Sequence, residues 1–171
     1  IRWTYVLLIS VFFSCSKNSV TFFENIPLDG WEQSKWVEFK LKNTLPPKTS
    51  SLEWIIRHSD DYPFSNIFVI TKIFPPKGEP ITDTLEYYLA EPSGKWIGKG
   101  FFLKEINLAY PHKVFLTSPG VYTFNIKPSV AGFETNYDNS FLPGIHNVGI
   151  KLTHEKVIIK NMFLLFGHLF S

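Results

Sequence analysis

The chain has 171 residues, 44% of them apolar, which is the size and composition of one ordinary domain with some extra sequence. Its 17 basic and 15 acidic residues leave a formal charge of +2, and no block of Lys and Arg is interleaved with aromatics, so a nucleic-acid partner is set aside. A single cysteine excludes an internal disulfide and any structural zinc site that needs two or more thiolates, while 17 Phe, 7 Tyr and 5 Trp favour strands, where flat side chains pack on a pleated surface.

The N-terminus comes first in chain order. Arg2 gives a short basic region and Tyr5 to Phe13 an apolar run, shorter than the roughly 20 residues that cross a bilayer, which is the pattern of a secretory signal. The run closes on Phe12-Phe13-Ser14-Cys15, which looks like the lipobox of a bacterial lipoprotein, with Phe where an aliphatic and a small residue usually precede the cysteine. On that reading residues 1–14 are the signal and are cut away. The Cys15 thiol takes a diacylglycerol thioether, and two or three acyl chains hold the protein to a membrane without a transmembrane helix. The other reading makes residues 5–14 a buried strand or short helix with Cys15 as a small hydrophobe.

After the cysteine, "SKNSVT" is polar, so residues 15–21 are expected to be a tether, with the folded domain spanning 22–160 and an apolar extension over 161–171. "WVEFKLK", residues 36–42, alternates Val37, Phe39 and Leu41 against Glu38, Lys40 and Lys42, the mark of a half-buried strand. "SLEWIIR" sets Leu52, Trp54 and Ile56 on one side, and "NIFVITKIF", residues 66–74, is apolar on both, as in mid-sheet. Further strands are predicted at 82–89, 100–106, 113–116, 120–126 and 148–153. Turns rich in Pro and Gly separate them, and 127–142 reads as a long loop with room for one helical turn. Many short strands at roughly 8 to 12 residue spacing predict an all-β fold, an antiparallel β-sandwich of Ig-like or jelly-roll-like type.

Two stretches invite chemistry. "RHSDDYPFSN" gathers Arg57, His58, Asp60, Asp61 and Tyr62 in an expected loop. A histidine beside two carboxylates can bind a metal or act as acid and base, and a hydrolase would need a second acid facing Asp60 or Asp61 at roughly 5 to 9 Å. The structural reading is stronger: Asp60 and Asp61 hold a turn fixed by Pro63, Arg57 pairs with an acid at the strand end, and His58 is left as the most available polar group for a partner. "GKWIGKG", with Gly94, Trp96, Gly98 and Gly100, lacks the order of a phosphate loop and reads as a tight hairpin whose glycines take positive φ and whose Trp96 folds onto the sandwich.

No G-x-S-x-G occurs, and His112, His146, His154 and His168 are scattered, so no enzyme, cofactor or metal is expected. A surface carbohydrate-binding lipoprotein is the alternative, with Trp31, Trp36, Trp54 and Trp96 as stacking candidates.

Taken together, "RHSDDYPFSNIFV", "DTLEYYLAEPSGKWIGKG", "GVYTFNI" and "LPGIHNVGIKL" resemble the gliding-motility lipoprotein family GldH of Bacteroidetes, from about Phe22 to Lys156. The resemblance implies an outer-membrane-associated, lipid-anchored, non-catalytic accessory or scaffold of the gliding machinery, linked to type IX secretion, with other proteins of that machinery as partners. Ser129-Val130-Ala131-Gly132 stands where the family usually has a Gln-Ala-Met-Arg-like stretch, and the family pattern does not account for "NMFLLFGHLFS", residues 161–171.

Overall fold

A computed structural model describes residues 19–44, 48–129 and 140–154. Eleven strands lie among them: β1 Ser19–Asn25, β2 Trp31–Glu32, β3 Val37–Asn43, β4 Lys48–His58, β5 Asn66–Phe74, β6 Ile81–Tyr88, β7 Lys104–Ala109, β8 Val114–Leu116, β9 Gly120–Ser129, β10 Phe141–Leu142 and β11 Ile145–His154. One sheet runs β1-β11-β4-β7, with β8 continuing beside the start of β4, and the other runs β3-β9-β5-β6. Strands β2 and β10 form a short separate ribbon. Every pairing is antiparallel, and the two large sheets pack face to face as a β-sandwich.

Side-chain parity explains the packing. Leu52, Trp54 and Ile56 of β4 face Val37 and Phe39 of β3, with Ile67, Val69 and Ile73 of β5 and Tyr122, Phe124 and Ile126 of β9 completing one buried cluster. Phe39 and Trp54 meet across the two sheets with ring centroids 6.3 Å apart. Strand β5 is central, as its sequence predicts, flanked by β9 and β6. The open edge between β6 and β7 is closed by tyrosines: Tyr87 Oη donates to the Ala109 carbonyl at 3.0 Å and Tyr110 Oη to the Asp83 carboxylate.

The registers give the sandwich two ends. Ser19 lies opposite Thr153, which lies opposite Ser51, so β1 enters at the end where β4 begins and β11 finishes. His58 lies opposite Lys104 and Ile145 at the other end, where β5 and β7 also begin. We call these the Ser19 end and the His58 end.

Several expectations change. Ser19, Val20 and Thr21 belong to β1 rather than to a tether, because they pair with β11. The strand expected at 100–106 starts only at Lys104. Residues 127–129 extend β9, and Phe141–Leu142 form β10. Cys15, residues 1–18, residues 130–139 and the 161–171 extension lie outside the described residues.

Candidate functional site

The parity that buries Leu52, Trp54 and Ile56 also sends His58 inward, where it is fully buried, so it is not the accessible contact expected in a loop. Its Nδ1–H donates to the Ser59 carbonyl at 3.0 Å, while Nε2 is buried with no hydrogen-bond partner. The ring packs edge-on to Trp96 at 4.5 Å and tilted against Tyr62 at 5.8 Å. Burial holds its pKa below the usual histidine value. Lys104 and His146 push the same way, and the bond to Ser59 and the charge of Asp60 oppose them.

Arg57, one residue earlier, points to the outer face of the sheet. Its acid is Glu105 on β7, at 2.7 Å, rather than a loop carboxylate, and its guanidinium lies 4.0 Å from the centre of the Phe23 ring. The turn that follows is a compact structure. Ser59 N–H donates to the Gly144 carbonyl, Ser59 Oγ donates to Asp61 Oδ2, and Asp61 N–H donates back to Ser59 Oγ. Asp60 and Asp61 are exposed on it, whereas the Tyr62 ring turns inward and its hydroxyl donates to the Asn66 carbonyl at 2.7 Å. Gly144 lies against this turn at φ +75°, and a Cβ there would sit 2.4 Å from Tyr62 N.

The second stretch folds onto the first. Ile97 N–H donates to the Leu89 carbonyl, and a bridge pairs Ala90 with Trp96, which sets the indole over His58 and Tyr62. Gly94 takes φ +82° in the tight turn expected there, and Gly98, without positive φ, packs on Lys104 and Glu105. Gly100 at φ +139° starts a second turn, where a Cβ would fall 1.8 Å from the Leu103 carbonyl oxygen. Lys104 Nζ closes it by donating to the carbonyls of Gly100 and Phe101 at 3.0 and 2.8 Å.

That turn presents Phe101 and Phe102, 84% and 82% exposed and edge-to-face at 4.9 Å. Beside it a groove of about 710 Å³ is lined by Arg57, Ile97, Lys99, Leu103 and Glu105 among others. The two stretches are therefore one assembly, with His58, Tyr62 and Trp96 beneath and Asp60, Asp61, Phe101 and Phe102 on the surface. The Phe pair falls inside the strand predicted at 100–106. Its distinguishing signal in the sequence is two adjacent aromatics right after Gly98-Lys99-Gly100, a poor start for a strand.

The tryptophans form no sugar platform among the described residues. Trp31 and Trp54 are buried, Trp96 is half-buried against His58, and half-buried Trp36 has Lys72 and Lys127 Nζ each 5.2 Å from its ring centre. His154 Nδ1 bonds Ser50 Oγ at 2.8 Å, and His112 lies against Tyr110. Among the described residues no three His, Asp or Glu side chains converge to hold a metal.

The model of the GldH lipoprotein family matches residues 19–152, from the first residue of β1 into β11. The chain belongs to the GldH lipoprotein family. Among its relatives, a gliding motility lipoprotein GldH homolog of Christiangramia forsetii is 34% identical over 149 residues, 86% of this chain and 91% of that protein. The gliding motility lipoprotein GldH of Flavobacterium johnsoniae is 34% identical over 146 residues, 84% and 89% of the two chains. A solved structure, the infectious bursal disease virus VP2 subviral particle, overlaps 80% of this chain and 30% of its own at 11% identity and a TM-score of 0.28, a likeness from which nothing follows for fold or function. Membership makes this a lipoprotein of gliding motility and thus membrane-anchored.

Proposed function

We propose that the chain is lipidated on Cys15, sits at the outer membrane, and serves the gliding machinery as a non-catalytic accessory or scaffold linked to type IX secretion. The family match over the whole described sandwich carries this reading. The His58 end is the partner contact. Its exposed Phe pair stands on a turn held by Lys104 and by a glycine that no other residue replaces without a clash, so the aromatics are presented at little further entropic cost on binding. Asp60 and Asp61 are exposed on the turn that follows His58, and His58 itself is buried. A carbohydrate-binding role is not favoured, because two of the four candidate tryptophans have no exposed face.

The test is replacement of the chromosomal gene in a gliding host. Cys15→Ser is expected to abolish lipid labelling and membrane retention. Phe101→Ser with Phe102→Ser is expected to keep both and lose spreading and co-purification of a motility or secretion protein. Normal spreading and unchanged co-purification in the double variant would defeat the partner assignment, and continued lipid labelling of Cys15→Ser would defeat the anchor.

A further inference from the structure

The Ser19 end carries an apolar opening that the partner assignment does not use. Between the edge of β6 and the edge of β8 the sandwich is open, leaving a groove of about 340 Å³ whose walls include Ile73, Ile81, Val114 and Phe115 and whose inner side reaches buried Tyr122. Ile81 shares the inward parity of Asp83, Leu85 and Tyr87 but lines this groove and is 53% exposed. Phe115 is 63% exposed and Val121, at the same end, 47%. The loops around them bring Pro80, Pro111 and Pro119 to the surface, and the exposed charges there are Lys42, Lys77 and Lys113 against Glu79. The end is apolar with a cationic fringe.

The chain's connections leave from this same end. Ser19 is the first residue of β1, and three residues separate it from Cys15, a reach of at most roughly 14 Å over the four Cα–Cα steps. His154, the last residue of β11, pairs with Ser50, which in turn pairs with Val114 of the groove, and the sequence beyond it runs to the apolar "MFLLF". The Phe101–Phe102 turn lies at the far end, some seven strand residues or roughly 23 Å along β4.

We infer that the Ser19 end is seated on the bilayer that holds the lipid anchor, with Phe115 and Ile81 in the interfacial region, the groove facing lipid and Lys77 and Lys113 against anionic headgroups. A short tether holds this end within reach of the membrane, apolar side chains at its rim lose water on contact, and lysines near an anionic surface are attracted to it. The His58 end is thereby directed away from the membrane. This orientation rests on lipidation of Cys15.

The experiment uses the lipidated full-length product reconstituted in vesicles of phosphatidylethanolamine with a minority of phosphatidylglycerol, the acyl chains brominated. Once Cys15 is acylated, Phe115→Cys and Phe102→Cys each carry one free thiol for an environment-sensitive fluorophore, and a thermal melt confirms that each variant folds. The label at 115 is expected to shift to the blue and lose most of its emission to brominated lipid, and the label at 102 to remain as in water. Val121→Cys, at an exposed outward position, repeats the measurement should Phe115→Cys fail to fold. Quenching at 102 but not at 115, or at neither, overturns the orientation. A blue shift at 115 without quenching by brominated lipid means that protein, either a second copy or the chain's own C-terminal segment, covers the groove, and also overturns it. Two reactive thiols on a protein that does not float with the vesicles would instead defeat lipidation of Cys15, and the orientation with it.

Discussion

The two ends of the sandwich are built differently. At the His58 end tight turns sit over a buried aromatic and imidazole cluster: Gly144 is pressed against Tyr62, Gly100 against Leu103, and Trp96 against His58. At the Ser19 end the sheets part, prolines fill the loops and the apolar side chains at the mouth face outward. Turns pinned by contact suit the presentation of a fixed surface to a protein, since little ordering remains to be done on binding. An open apolar end suits a fluid partner, which conforms to the protein instead of the reverse.

The largest effects are expected where the core itself is touched. Trp54→Ala, midway between the ends, should destabilise by about 3 to 5 kcal/mol in a urea titration, a large share of a typical domain's margin. Gly144→Val should lose about 2 to 5 kcal/mol, combining the left-handed backbone with the clash on Tyr62. Gly94→Ala is its control. It shares a positive φ but meets nothing within 4 Å, so it should cost only about 1 to 2 kcal/mol. Equal losses at Gly94 and Gly144 would remove the claim that the turns of the His58 end are pinned by contact. Trp96, half-buried, should cost less on truncation than Trp54, about 1 to 3 kcal/mol.

A pH series separates the His58 end from the tyrosine edge. The folded-state pKa of His58 is lowered, so above about 6.5 both folded and unfolded states hold it neutral and its contribution is whole. Below that value the unfolded chain takes up the proton first, and stability falls as the pH drops toward the folded pKa. His58→Phe should flatten this acid limb of the urea midpoint, and an unchanged limb would mean the imidazole is not held neutral. At alkaline pH the sign reverses. Burial and the charge of Asp83 push Tyr87 up to about 12, and burial with the Asp83 hydrogen bond raises Tyr110 further. Their contribution is full below about 10, where unfolded tyrosine ionises, and is lost as the pH rises through those folded values. Tyr87→Phe should weaken that alkaline limb.

The smallest stability change is expected for Phe101→Ser with Phe102→Ser, within about 0.5 kcal/mol, because both rings are in water. A drop of several kcal/mol would show that the turn is part of the core and would weaken its assignment as a contact.

The sequence made β3 legible because its parity is written in residue type, Val37, Phe39 and Leu41 against charged neighbours, and β5 legible because its run is apolar on both faces, as a mid-sheet strand requires. Strand β1 was hidden, since five of its seven residues are exposed at a sheet edge and no alternation survives. The ribbon of β2 and β10, two residues each, is set by a pairing distant in sequence. Arg-His-Ser-Asp-Asp is polar throughout and reads as a loop, yet the inward series Leu52, Trp54, Ile56 continues to 58 and buries the His58 ring. The meeting of residues 57–62 with 94–104 follows from the pairing of β4 with β7 and the bridge from Ala90 to Trp96, a register that composition does not encode.

The assignment of opposite tasks to the two ends is tested most directly in living gliding cells, with a photo-crosslinking amino acid placed at position 102 or at position 115. The account predicts a discrete protein adduct from 102, and from 115 lipid adducts with no protein of defined mass. Protein adducts from 115 together with lipid adducts from 102 would contradict it.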